Sequence, residues 1–171
     1  MSHLIVITGF MGCGKSEVAR SLAQRLGLEM IDLDEFITAA VGRTPAQLID
    51  EEGEAVFRNI EANNLANVLK TGARRVIALG GGAWIENRNR ELLANAAAIG
   101  VWLDTPFEVC WTRIESATEA RPLARTKNNA YDLYERRRPI YELATIKIQT
   151  RPEQNPDEIA ASIERQLLSS K

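Results

Sequence analysis

One octapeptide narrows the possibilities for this chain more than any other feature. Gly9-Phe10-Met11-Gly12-Cys13-Gly14-Lys15-Ser16 satisfies G-x-x-x-x-G-K-[ST] at every fixed position. The β-branched run Leu4–Thr8 precedes it and reads as a buried strand. After it, Val18, Ala19, Leu22, Ala23 and Leu26 recur with helical period, so a helix is predicted over 16–26, stopped by Gly27. Strand, glycine-rich turn and helix in that order let backbone N–H groups face inward around phosphate oxygens, with the positive end of the helix behind them. Lys15 is a point charge for the β- and γ-phosphates, and the Ser16 hydroxyl suits magnesium. The Cys13 thiol is read as a bystander whose backbone N–H matters.

The rest of the chain keeps this rhythm. Short apolar runs at 29–31, 76–79 and 99–103 and an alternating run at 145–150 read as strands. Thr44-Pro45-Ala46-Gln47 carries helix-start chemistry, and Glu54–Lys70 reads as a longer helix ended by Gly72. Thr105-Pro106-Phe107-Glu108 is expected to open a helix with the same cap, and Asn155-Pro156-Asp157-Glu158 a terminal one. Residues 116–130 are polar and basic and read as a mobile loop followed by a helix. Strands alternating with helices predict an α/β fold: right-handed β-α-β units forming a parallel sheet covered on both faces. The 171 residues fit a single domain, 1–171.

Composition removes several alternatives. A formal net charge of −2 argues against nucleic acid as a partner. Cys13 and Cys110 lie far apart and His3 is the one histidine, which is neither a disulfide framework nor a metal-ligand pattern. The N-terminus lacks a basic segment before its short apolar run, and no stretch approaches the ~20 apolar residues of a membrane helix. A soluble, cytoplasmic protein without a membrane partner is expected.

Asp32-Leu33-Asp34 follows the second strand, and alternation would put both carboxylates on one side of an extended segment. One suits hydrated magnesium, and the other can orient or deprotonate an attacking hydroxyl. Alternatively, Asp34 merely caps the next helix. Gly80-Gly81-Gly82 marks either a close backbone approach or a plain tight turn. Arg58 and Glu61 are three apart, the spacing of a surface ion pair. In Arg136-Arg137-Arg138 at least one member should be solvated, while Arg113 and Arg125 could face either way. Arg121 sits in the basic loop, which could close over a triphosphate and exclude water. Arginine grips carboxylate in a planar, bidentate way, so an acidic acceptor is plausible.

Together these residues resemble the shikimate kinases. The match runs from Ile5 to about Ser169 and rests on Asp32-Leu33-Asp34, Gly42-Arg43-Thr44 and Gly53-Glu54-Ala55-Val56-Phe57-Arg58-Asn59-Ile60-Glu61. Gly80-Gly81-Gly82, Arg121-Pro122-Leu123 and Arg137-Arg138-Pro139-Ile140-Tyr141 add to it. The resemblance implies a nucleoside-monophosphate-kinase-like fold with a five-stranded parallel sheet in the order 2-3-1-4-5. It implies substrate-binding helices at about 33–62 and a mobile lid at about 113–128. The implied reaction is phosphorylation of the 3-hydroxyl of shikimate by ATP-Mg²⁺, in aromatic amino-acid biosynthesis, by a monomer. By position, Gly12, Cys13, Gly14, Lys15, Ser16 and Glu17 would hold the ATP phosphates, and Ser16 and Asp32 the metal. Lys15, Asp34 and Arg121 would be catalytic. Arg113, Arg121 and Gln154 would complete the nucleotide site, and Asp34, Arg58, Gly81, Gly82 and Arg137 the shikimate site. The chain departs from the family pattern at Ile49, where Phe is usual, at Trp84, and at Leu123-Ala124. A kinase for another hydroxy acid such as gluconate, and a nucleotide-binding regulatory domain without catalysis, are the alternatives.

Overall fold

The computed structural model describes residues 4–117 and 122–169. Five strands, β1 (Leu4–Thr8), β2 (Glu29–Asp32), β3 (Arg75–Ala78), β4 (Ile99–Asp104) and β5 (Ile146–Gln149), form one parallel sheet in the order β2-β3-β1-β4-β5. The central strand β1 pairs on both sides, Val6 opposite Ile77 and Gly100. Its residues Ile5, Val6 and Ile7 are almost wholly buried, as a strand with helices on both faces must be. At the edge, β5 alternates buried Ile146 and Ile148 with exposed Lys147 and Gln149, which is why its sequence alternates while that of β1 does not.

Among the described residues eight helices connect the strands or follow them: α1 (Lys15–Leu26), α2 (Leu33–Val41), α3 (Pro45–Glu52), α4 (Glu54–Lys70), α5 (Asn87–Asn95), α6 (Phe107–Ser116), α7 (Lys127–Tyr141) and α8 (Pro156–Ser169). Two starts follow the local code. Thr44 and Gln47 form a reciprocal capping box on α3, and Asn155 and Glu158 do the same at α8.

The expected Thr105 cap does not form. The α6 N-cap is Pro106 and receives no side-chain bond. Thr105 lies at the end of β4, where its hydroxyl pairs with that of Thr150 at 2.7 Å, both residues being buried. A hydroxyl drawn into the core bonds the nearest polar group there, and the adjoining strand end offers one. Helix α5 escapes sequence reading because its first turn is Asn-Arg-Asn-Arg and only Asn89 and Leu93 are buried. Tertiary contacts hold it: the Asn89 amide donates to Ala83 O at 2.9 Å and Arg90 to Trp84 O and Ile85 O.

Candidate active site

The glycine-rich turn between β1 and α1 is built as its motif demands. Gly12 has φ +77°, and a Cβ there would stand 2.6 Å from Cys110 O, so both conformation and space require glycine. The Lys15 ammonium folds back over the turn and donates to Gly9 O at 3.1 Å and Phe10 O at 2.9 Å. Ser16 Oγ donates to the Asp32 carboxylate. Cys13 is buried, with Sγ 3.9 Å from Lys15 Nζ, and its side chain does not line the cavity beside the turn.

The two acids after β2 do not share an extended segment. Asp32 ends the strand and caps α2, accepting from the N–H groups of Asp34 at 3.0 Å and Glu35 at 3.3 Å. Asp34 therefore lies in the first turn of α2, and Asp32, not Asp34, is the cap. The chain turns helical one residue after the strand ends, which breaks the alternation. Asp34 reaches Gly80, the first of the three glycines that follow β3. A Cβ on Gly80 would stand 2.7 Å from Asp34 Oδ1, and one on Gly82 2.1 Å from Arg58 Nη2. The triple glycine is thus a close approach of backbone to charged groups.

Arg58 and Glu61 do not form a surface pair. Glu61 is fully buried, and both its oxygens accept from Arg58 Nη1, at 3.0 and 2.9 Å. Glu54 takes Arg58 Nη2 at 3.0 Å. Burial pushes the Glu61 carboxyl up to about 7 against the opposing pull of Arg58. The helix also sorts the arginine run on α7. Arg136 is exposed and Arg138 pairs with Asp104 at 2.7 Å across the face of Trp102. Arg137 is buried and points into a cavity, where its Nη1 has no hydrogen-bond partner among the described residues.

Two cavities meet at this place. One, lined by Gly12, Gly14, Lys15, Ser16, Glu17, Asp32 and Arg113, lies along the glycine-rich turn. The other is walled by Arg58, Glu61, Gly82 and Arg137 and by apolar Pro45, Ile49, Phe57 and Leu123. Met11, Asp34, Gly80 and Gly81 line both. A phosphate-shaped pocket joined through a carboxylate to a small cationic pocket is the plan of a phosphotransferase.

A family model described as shikimate kinase matches residues 11–168. The chain belongs to the shikimate kinase family. It is 35% identical to the shikimate kinase of Ruegeria pomeroyi over 93% of this chain and 84% of that one. It is 34% identical to that of Corynebacterium glutamicum, over 94% of each. Among solved structures, the shikimate kinase of Acinetobacter baumannii in complex with shikimate superposes with a TM-score of 0.90 at 34% identity, covering 98% of this chain and 93% of that one. A gluconokinase from Sinorhizobium meliloti shares the fold, with a TM-score of 0.62 at 20% identity.

Of the residues expected in the shikimate kinase site, Gly12, Gly14, Lys15, Ser16, Glu17, Asp32 and Arg113 line the first cavity, and Asp34, Arg58, Gly81, Gly82 and Arg137 the second. Arg113 donates to Gly12 O at 3.1 Å beside the glycine-rich turn. Gln154 lines neither cavity; its Oε1 accepts from Arg151 N at 2.8 Å and closes its own turn. Arg121 lies outside the described residues. Of the departures from the family pattern, Ile49 and Leu123 line the second cavity, and Trp84 and Ala124 do not. The Trp84 ring packs against Gly100 and its Nε1 donates to Ile140 O at 3.0 Å, behind the site. Sequence reasoning missed Met11, one of the four residues lining both chambers, and the buried state of Glu61. The first carries no polar signal, and the second depends on packing that spacing does not encode.

Proposed function

We propose that this chain moves the γ-phosphoryl group of ATP onto the 3-hydroxyl of shikimate. One observation carries the reading: Asp34 stands on the boundary shared by the phosphate chamber and the arginine-walled chamber. A hydroxyl bound in the second chamber faces a phosphate bound in the first, with a carboxylate beside it to accept its proton. As the acceptor oxygen bonds to the γ-phosphorus, its proton passes to Asp34. The bond from the γ-phosphorus to the bridging oxygen breaks, and ADP leaves. Lys15 and the inward N–H groups of the turn hold the charge that gathers on the transferred group. Arg121, on a lid at about 113–128, would reach the same phosphates, and Arg113 would hold the nucleotide from the turn side.

Arg58 and Arg137 suit a carboxylate acceptor. The buried Arg137 Nη1 gains from such an anion the partner it lacks within the described chain. Helices at about 33–62 supply the rest of the acceptor site.

Magnesium fits the residues present. Ser16 Oγ and the Asp32 carboxylate are hard oxygen donors in contact at the mouth of the phosphate chamber. Among the described residues no cluster of three or more acidic, histidine or cysteine ligands exists. Two protein donors, completed by phosphate oxygens and water, match the way this ion is held in kinases. When bound it would neutralise charge on the phosphates. No helix among the described residues is long and apolar enough to cross a membrane. The reading places the chain, as a monomer, in the cytoplasm, acting on small molecules.

A coupled ADP-release assay across shikimate, gluconate and nucleoside monophosphates tests this. Turnover with shikimate that requires Mg²⁺ is expected. Activity with gluconate alone would overturn the acceptor, and tight ATP binding without turnover on any acceptor would mean a regulatory domain.

A further inference from the structure

The last turn of α7 makes a contact that the proposed chemistry does not use. Tyr141 is 1% exposed, and its ring stacks on Trp102 with centroids 6.0 Å apart. Its hydroxyl donates to Gly81 O, the carbonyl of the middle glycine in the turn between the two chambers. Arg137 sits one helical turn back on α7, on the same face of that helix. Its guanidinium lies over Gly81: a Cβ there would stand 3.6 Å from Arg137 Nη1. A second tether runs in parallel, from Trp84 Nε1 to Ile140 O. The arginine and the glycine turn come from segments more than fifty residues apart, so something must fix their relative position.

We propose that Tyr141 is a positioning residue for the acceptor site: its hydroxyl joins the Gly81 carbonyl to the Arg137 guanidinium and fixes the clamp against the turn. The inference rests on the reading of Arg137 as the acceptor clamp. Phenol is well suited to this. The ring wedges between Trp102 and the core, while the hydroxyl gives its proton to a carbonyl and offers a lone pair to a cation. Removing the hydroxyl leaves the ring, and with it the packing of α7. It frees Arg137 to adopt other rotamers and leaves the Gly81 carbonyl without its buried donor.

The test is a double-mutant cycle between Tyr141→Phe and Arg137→Ala in the full chain, with KM for shikimate and for ATP, kcat and Tm measured for each. Tyr141→Phe is expected to raise the shikimate KM about tenfold, leave the ATP KM within twofold, and have no further effect on the shikimate KM in the Arg137→Ala background. A purely structural tyrosine would lower Tm without this split. An unchanged shikimate KM in Tyr141→Phe, or equal losses with and without Arg137, would overturn the proposal while leaving the clamp intact. An unchanged shikimate KM in Arg137→Ala would instead remove the clamp itself, and the proposal with it. If Tyr141→Phe does not fold, 4-aminophenylalanine at 141 keeps an N–H donor for Gly81 but accepts poorly from a guanidinium. The shikimate KM should still rise with it, and an unchanged value would overturn the proposal.

Discussion

Adding a single methyl group at Gly82 should damage the acceptor site and leave the nucleotide site alone. No positive φ is required there, so alanine fits the backbone, and the consequence lies in what its Cβ would meet. Three guanidinium atoms of Arg58 fall at 2.1, 2.6 and 2.8 Å from that position, whereas ordinary contact begins at 3.4 Å. The Arg58 head must therefore retreat by about 1.3 Å, the difference between 3.4 and 2.1 Å. It cannot do so freely. Nη1 is held by both oxygens of the fully buried Glu61 at 2.9 and 3.0 Å, and Nη2 by Glu54 at 3.0 Å. A displacement of that size at a positioning contact costs on the order of 10- to 100-fold, or about 1.4–2.8 kcal/mol. Steady-state ADP release should give a shikimate KM raised by that factor in Gly82→Ala, with the ATP KM within twofold. Wild-type shikimate kinetics in a folded Gly82→Ala enzyme would refute the argument, because Arg58 would then have no part in holding the acceptor where the structure puts it.

Three further outcomes are expected. Glu61 keeps its proton to about 7 in the folded chain against 4.5 for the free group. Its contribution is fully present below pH 4.5 and is lost as pH rises through 7, by about 3 kcal/mol; the difference between wild type and Glu61→Gln in urea unfolding across that window checks it, and parallel curves would contradict it. Thr105→Val removes one of two buried hydroxyls bonded to each other at 2.7 Å, which should cost about 1–2 kcal/mol and lower Tm by about 3–6 °C in a calorimetric scan. Lys15→Ala should abolish ADP release while circular dichroism stays unchanged, and retained turnover would contradict the role given to the turn.

The two parts of the site differ in how far they could be read before folding. The phosphate chamber was legible because its parts are contiguous: one octapeptide supplies the turn, the ammonium and a hydroxyl, and the flanking strand and helix orient them. The acceptor chamber assembles from α2, α3, α4, the glycine turn and α7. There the residues alone left Asp34 between base and cap, Arg58 between ligand and surface pair, and three consecutive arginines without a ranking. The α7 helix ranks them, since successive side chains point about 100° apart and only Arg137 faces inward.

By itself the sequence determined the alternation of strands and helices, the phosphate loop, and the parallel sheet that follows from right-handed crossovers. These depend on residues adjacent in the chain. Tertiary structure alone decided that Thr105 bonds Thr150 and caps nothing, and that Glu61 is sealed under Arg58. Each of those outcomes depends on which groups lose water together and which partner is nearest when they do. Only the packing of distant segments fixes that.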